Sequence, residues 1–170
     1  MTLLDEIETA IPALRRYAHA LVRDRDGAED LVQDCLERAV ARRQFWRGEG
    51  EVRAWLFRIL LNRFRDGVRS TRGRAQLVPL ETVPDPAQPA PQEAQMALRE
   101  VHAAMARLPE EQRAALLLVA VEGMSLAEAA RVLSVPEGTV ASRIARARAA
   151  LRSMTGRPAG RTTRTEGSQT

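Results

Sequence analysis

Residues 123–151 read GMSLAEAARVLSVPEGTVASRIARARAAL, and this stretch decides the fold. Ser125 followed three residues on by Glu128 is a capping box, in which the hydroxyl and the carboxylate each satisfy an orphan N–H at a helix start. The helix so opened carries Leu126, Ala129, Ala130 and Leu133 on one face. Ser134, Val135 and Pro136 interrupt it, and Pro136 suits the first position of a second helix, where its missing N–H costs nothing. In that second helix Val140, Ile144, Ala147 and Leu151 recur at helical period as one apolar stripe. Thr139, Ser142, Arg143 and Arg146 occupy the opposite arc. A short helix, a tight turn and a second helix lined by hydroxyls and arginines is the plan of a helix-turn-helix reader of duplex DNA. An ordinary amphipathic helix pair with a solvated basic face shares this periodicity, so the remaining residues must discriminate.

The chain has 170 residues, 45% of them hydrophobic, enough for one medium domain or two small ones. Its formal charge is +4 and its sequence pI about 10.7, with arginine supplying all 26 basic residues. The distribution says more than the total. Residues 51–75 hold seven arginines against two acids, and residues 134–152 hold four against one. Residues 1–50 and 76–133 are acidic on balance. Two basic blocks set among acidic ones point to two separate contacts with nucleic acid and an acidic surface for another partner.

The single cysteine, Cys35, excludes an internal disulfide and fits a reducing cytoplasm. The opening residues MTLLDEIETAIP lack a basic leader before an apolar run, so no signal peptide is expected, and no apolar run approaches transmembrane length. His19, His102 and Cys35 lie at no short metal-ligand spacing. Neither a metal nor another cofactor is expected.

Along the chain, Leu4, Ile7, Ile11, Leu14, Ala18 and Leu21 give a first helix over about 3–22, with Pro12 able to bend it or start a new turn. Residues 23–27 (RDRDG) read as a polar break. A second helix, about 28–43, buries Leu31, Val32, Cys35, Leu36 and Ala39. Opposite them Asp30, Gln33, Asp34 and Glu37 form a stripe of acceptors without a basic residue among them. Such a stripe is either a solvated face or a dock for a basic helix of a partner. Residues 44–50 (QFWRGEG) read as a loop. The third helix, about 51–70, is apolar over most of its circumference, leaving a narrow stripe of Arg58, Asn62, Arg65 and Arg69.

Five prolines crowd 71–92, which reads as an extended linker. Helix returns over about 92–107, with Met96, Val101, Ala104, Met105 and Leu108 available for packing. Pro109 with Glu110 and Glu111 starts another helix that ends at Gly123. Residues 155–170 lack apolar character and read as disordered. The fold class is all-α: a bundle over 1–70, a Pro-rich linker over 71–92, a four-helix domain over 93–154 ending in the helix-turn-helix, and a tail.

All six aromatic residues precede residue 65. Phe45 and Trp46 stand beside Arg47, just ahead of the most basic block. Rings next to arginine suit single-stranded nucleic acid, offering a surface for unstacked bases and charge for the backbone, worth ~1–3 kcal/mol per stacked base. In the competing arrangement both rings fold back over the bundle, Phe45 more readily than Trp46. Trp55, Phe57 and Phe64 read as core.

The blocks AEDLVQDCLERAV, QFWRGEGEVRAWLFRILLNRFRD and LPEEQRAALLLVAVEGMSLAEAARVLSVPEGTVASRIARARAAL resemble, in order, those of bacterial extracytoplasmic-function sigma factors, across roughly residues 5–152. The opening IPALRRYAHALVRD further resembles the general-stress branch. The resemblance implies a subunit that confers promoter specificity on RNA polymerase. It implies that Asp30, Gln33, Asp34 and Glu37 face the β′ clamp helices of core polymerase. It likewise implies that Phe45, Trp46, Arg47, Arg53, Arg58, Asn62 and Arg65 serve the unwound −10 element. Thr139, Ser142, Arg143 and Arg146 would enter the major groove at −35, with the same domain resting on the β flap. Sequestration by a separate anti-sigma factor is also implied. Leu126 stands where many relatives carry an aromatic, and Cys35 where they often carry Thr.

Two other readings stay open at this level. A stand-alone helix-turn-helix regulator would bind duplex DNA without polymerase, but would need neither the loop aromatics nor the acidic stripe. An enzyme or interaction bundle would treat the basic blocks as solvated faces; no nucleophile–base pair stands out for one.

Overall fold

The computed structural model describes residues 2–22, 24–48, 51–71 and 91–156, the side chains of 70 and 71 excepted. Most of the linker and most of the tail expected above lie outside them. Seven α-helices are present among the described residues: α1 (Leu3–Leu21), α2 (Arg25–Ala41), α3 (Val52–Thr71), α4 (Gln92–Arg107), α5 (Glu110–Ala120), α6 (Leu126–Leu133) and α7 (Glu137–Thr155). None of these helices is long and apolar enough to cross a membrane.

Local chemistry accounts for the helix starts. Thr2 and Asp5 form a capping box on α1, Asp5 donating its N–H to Thr2 Oγ1 at 3.3 Å and Thr2 its own to Asp5 Oδ2 at 2.7 Å. That bond to the Thr2 backbone holds the Asp5 carboxyl below the ordinary carboxylate range. Pro12 lies within α1 on its exposed side and does not end it. The second helix starts earlier than the expected residue 28: Asp24 is the N-cap of α2, accepting from Asp26 at 3.3 Å and Gly27 at 2.9 Å. A Cβ on Gly27 would stand 3.1 Å from Asp24 Oδ2, so glycine lets the cap close. Ser125 and Glu128 make the expected box on α6, at 3.1 and 2.7 Å.

Chain reversals use left-handed residues. Gly123 (φ +69°) follows α5, with the Met124 N–H on Leu118 O at 3.1 Å. Ser134 (φ 56°, ψ 45°) makes the turn between α6 and α7, with the Val135 N–H on Ala130 O at 3.1 Å. The end of α4 is closed differently. Buried Arg113, from α5, donates through Nη1 to the carbonyls of Met105, Ala106 and Leu108 at 3.4, 3.2 and 3.3 Å. A cation there meets the negative end of the helix dipole and satisfies carbonyls that helix geometry leaves over.

α1, α2 and α3 pack on one another around Leu14, Tyr17, Leu21, Cys35, Leu56 and Leu60, with the Tyr17 ring edge-on to Phe57 at 5.1 Å. The Cys35 thiol donates to Leu56 O at 3.4 Å, and burial pushes its pKa up to about 12. α5, α6 and α4 pack on α7 around Leu118, Leu133, Val140 and Ala147. Three placements differ from expectation: Leu4 is 52% exposed, Met96 63% and Leu126 39%.

The tethered pair of domains has a feature that periodicity did not disclose: the two units join. α1 packs on α5 and α3 on α6, so the buried side chains form one continuous apolar cluster. Inside it the Tyr17 hydroxyl donates to Ala114 O at 2.9 Å, and burial raises the tyrosine pKa. Tyr17→Phe removes this bond while keeping the ring; it should cost about 1 kcal/mol. Urea unfolding followed by circular dichroism checks this, and an unchanged midpoint would show the bond to be idle.

Candidate nucleic-acid interface

The basic surfaces lie on α7, on α3 and on the segment between α2 and α3. On α7, Ser142 and Arg146 are exposed and Thr139 is partly so, with Ser142 Oγ donating to Thr139 O at 3.0 Å. These three share the outward arc that the spacing predicted. Arg143 departs from it. Its side chain is 17% exposed and folds back to Glu111 of α5, Nη2 to Oε2 at 3.1 Å, with Nη1 buried and unpartnered. As placed here, Arg143 faces its own domain.

Between α2 and α3 the two rings take opposite roles, reversing the order in which they were expected to fold back. Phe45 ends a short 3-10 turn (Arg43–Phe45) and is 74% exposed. Trp46 lies against Trp55, centroids 4.9 Å apart. Proximity in sequence favours neither ring; Trp55 decides, by offering Trp46 a partner one helical turn into α3. Arg47, beside them, is exposed.

On α3, Asn62 is exposed and Arg69 lies on the same stripe. Arg58 donates to Ser134 Oγ at 3.4 Å and Arg65 to Leu133 O at 3.4 and 3.5 Å. The partners are the last residue of α6 and the first of the turn that follows it. Arg53 reaches Glu122 and lies 5.6 Å over the Phe57 ring. A sequence reading does not reveal these contacts, whose partners are 68 to 76 residues apart. Trp46, Trp55 and Arg58 also line a groove of about 440 Å³ opposite Glu128, Arg131 and Val132 of α6.

The acceptor stripe on α2 is present but not free of cations. Asp30, Gln33 and Glu37 are exposed, and Gln33 donates to Glu37 at 3.2 Å. Asp34 accepts from Arg63 of α3 at 2.7 Å, a bond that raises the arginine's pKa. Above the stripe, Glu29 joins Arg15 and His19, each at 2.8 Å, and the Arg15 bond lowers its pKa. Among the described residues no group of His, Cys, Asp and Glu could hold a metal ion.

Residues 7–61 match the family described as the Sigma2 domain of PhyR, and residues 98–151 match Sigma-70, region 4. The ECF RNA polymerase sigma factor EcfG of Rhodopseudomonas palustris is 37% identical over 150 residues, covering 88% of this chain and 83% of that one. The chain belongs to the ECF sigma factors. SigM of Mycobacterium tuberculosis is 40% identical over 144 residues, 84% of this chain and 71% of that one. The sigma factor RpoE of Bartonella quintana, solved with the anti-sigma factor NepR, superposes with a TM-score of 0.75 at 32% identity, over 89% of this chain and 95% of that one.

Within this sigma factor the matched segments coincide with the two packed units, and the α6–α7 motif falls inside region 4. Three of the family's −10 candidates, Arg53, Arg58 and Arg65, touch the other unit, which a description of either unit alone would miss. If Trp46 braces the loop through Trp55, Trp46→Ala should weaken single-stranded promoter capture by the polymerase-bound protein about tenfold. A single-strand binding assay measures this, and a loss equal in free protein and holoenzyme would assign the ring to folding instead.

Proposed function

We propose that this sigma factor directs promoter-specific transcription initiation by joining core RNA polymerase and holding the −10 and −35 elements with its two helical units. The observation that carries the reading is the pairing, in one chain, of a region 4 match on a helix-turn-helix with a Sigma2 match on a bundle whose third helix is basic. Residues 1–70 form the unit for polymerase and the −10 element, and residues 93–154 the unit for −35. The chain is an initiation factor rather than an enzyme, RNA synthesis belonging to polymerase, and it works in the cytoplasm.

Thr139, Ser142, Arg143 and Arg146 read the −35 major groove in this proposal. Arg146 is available as it stands, whereas Arg143 must leave Glu111 first. Planar guanidinium groups suit bidentate recognition of guanine, each good contact being worth about 1–3 kcal/mol of discrimination. Phe45, with its exposed ring, and Trp46 and Arg47 meet the unwound −10 strand. Arg53, Arg58, Asn62 and Arg65 line its path along α3. Asp30, Gln33, Asp34 and Glu37 face core polymerase. The RpoE relative was solved with an anti-sigma factor; a separate anti-sigma protein is proposed as the regulator here too. A stand-alone duplex-binding regulator is not favoured, since it would leave the Sigma2 unit without a task.

Changing Arg143 and Arg146 together to Ala should lower the preference for the cognate −35 sequence by roughly tenfold or more. Promoter competition with holoenzyme reads this, and weakened core binding with intact discrimination would refute the assignment. Reversing charge at Asp34 and Glu37 (each to Arg) should cost core affinity. Competition against the unaltered protein for core polymerase measures it, and undiminished competition would remove the docking role. Tight promoter-duplex binding without core would favour the stand-alone regulator.

A further inference from the structure

Glu111 stands in the first turn of α5, and its carboxylate is the partner of Arg143 on α7. Around the helix axis Arg143 lies about 70° from the middle of the apolar stripe Val140, Ile144, Ala147 and Leu151, against about 130° for Arg146. It therefore sits on the shoulder of α7, between the face packed on α5 and the outward arc. The Arg143 side chain is 17% exposed and that of Glu111 67%, so the carboxylate keeps most of its water.

The hold is weak by its geometry. One nitrogen meets one oxygen at 3.1 Å, longer than the ~2.7–2.9 Å of a well-made charge-assisted bond. Nη1 is buried without a partner, a cost of the folded-back position that departure would relieve. Arg113, on the same α5, shows the contrast: its Nη1 reaches three carbonyls at the end of α4. Leaving does not disturb the core either, since Arg143 and Glu111 both line a cavity of about 770 Å³. A guanine edge offers two acceptors and would engage the donor that Glu111 leaves idle.

We propose that Glu111 is a positioning residue for the −35 contact: it holds Arg143 in the unbound protein, yields it to DNA, and so sets how tightly region 4 binds. The inference rests on the assignment of Arg143 to the −35 groove. A carboxylate that must give up its cation lowers DNA affinity. It also alters the salt dependence. Each arginine that neutralises a DNA charge releases a counterion and adds about 0.9 to the slope of log affinity against log salt. When Arg143 comes from Glu111, the bared carboxylate takes up a cation in exchange, which largely cancels that increment.

The test uses holoenzyme formed with the full chain. Its probe is a fluorescein-labelled duplex selected by the unaltered holoenzyme from a random pool, kept at a temperature where the strands stay paired. Glu111→Gln removes the charge and preserves the length. It should tighten binding about two- to fivefold, the range of a solvent-screened ion pair, and steepen the salt slope by about 0.9. Arg143→Ala should weaken binding, and adding Glu111→Gln to it should then change neither quantity. Circular dichroism verifies helicity; should Arg143→Ala lose it, Arg143→Gln takes its place.

Unchanged affinity and slope in Glu111→Gln, with Arg143→Ala still weakening binding, would overturn the hand-over and leave Arg143 as a reader. Weaker binding by Glu111→Gln would overturn it too, since the held position would then be the productive one. A gain that persists in the Arg143→Ala background would also overturn it, assigning the effect to repulsion between the carboxylate and DNA. Arg143→Ala binding as tightly as the unaltered protein would remove the −35 assignment of Arg143 itself, and the role of Glu111 with it.

Discussion

The Tyr17 hydroxyl, donating to the Ala114 carbonyl, marks the point where α1, α3 and α5 meet and sets how the two units can sit. A phenol buried in an apolar cluster must find an acceptor, and the helix carbonyl it finds belongs to the other unit. The ring is meanwhile fixed by Phe57 on α3. With α5 held against α1, the reversal after α5 arrives beside Arg16 and Arg53, and α6 lies along α3. The charged contacts thus follow from this buried one. Hydrophobic burial supplies contact without direction, whereas the hydrogen-bonded groups choose among the possible contacts.

Arginine, in a chain without lysine, shapes how those choices are made. Arg16 uses two donors on one carboxylate, Arg53 shares one donor between a carboxylate and a carbonyl, and Arg113 reaches three carbonyls at a helix end. A planar fork with five donors can bridge groups in this way, while a lysine ammonium is a compact charge. The same property suits phosphates and guanine edges. The side chain type proposed to hold DNA therefore also lets the two units bind each other.

Much of the fold was legible because its rules are local. The Ser125–Glu128 box, the apolar stripe Val140, Ile144 and Ala147, and the broad apolar face of α3 follow from spacing that a helix converts directly into faces. Local errors had local causes. Residues 24–27 look like a break by composition, yet Asp24 caps a helix there, and Leu126, at a helix start, stays exposed although Ala129, Ala130 and Leu133 on its face are buried. Where the candidate residues stand along the helices was legible, but not which side chains they touch. Arg143 was placed on the outer arc by angle alone, which carries no information about Glu111; Trp46 needed Trp55, and Asp34 needed Arg63. The junction was hidden altogether, because Arg16 and Glu122 are separated by 106 residues and neither lies in a pattern that names the other.

Six consecutive residues of α5, Arg113 to Leu118, are buried, so this helix is surrounded rather than one-sided. That bears on the order of assembly during synthesis. α1 to α3 make their contacts within the first 71 residues and can close before the second unit exists, since contacts near in sequence form early. The finished bundle then presents Tyr17 and its neighbours as a wall on which α5 can settle while α6 and α7 are still emerging. The junction is in this sense a nursery for the second unit as well as a contact between two finished ones.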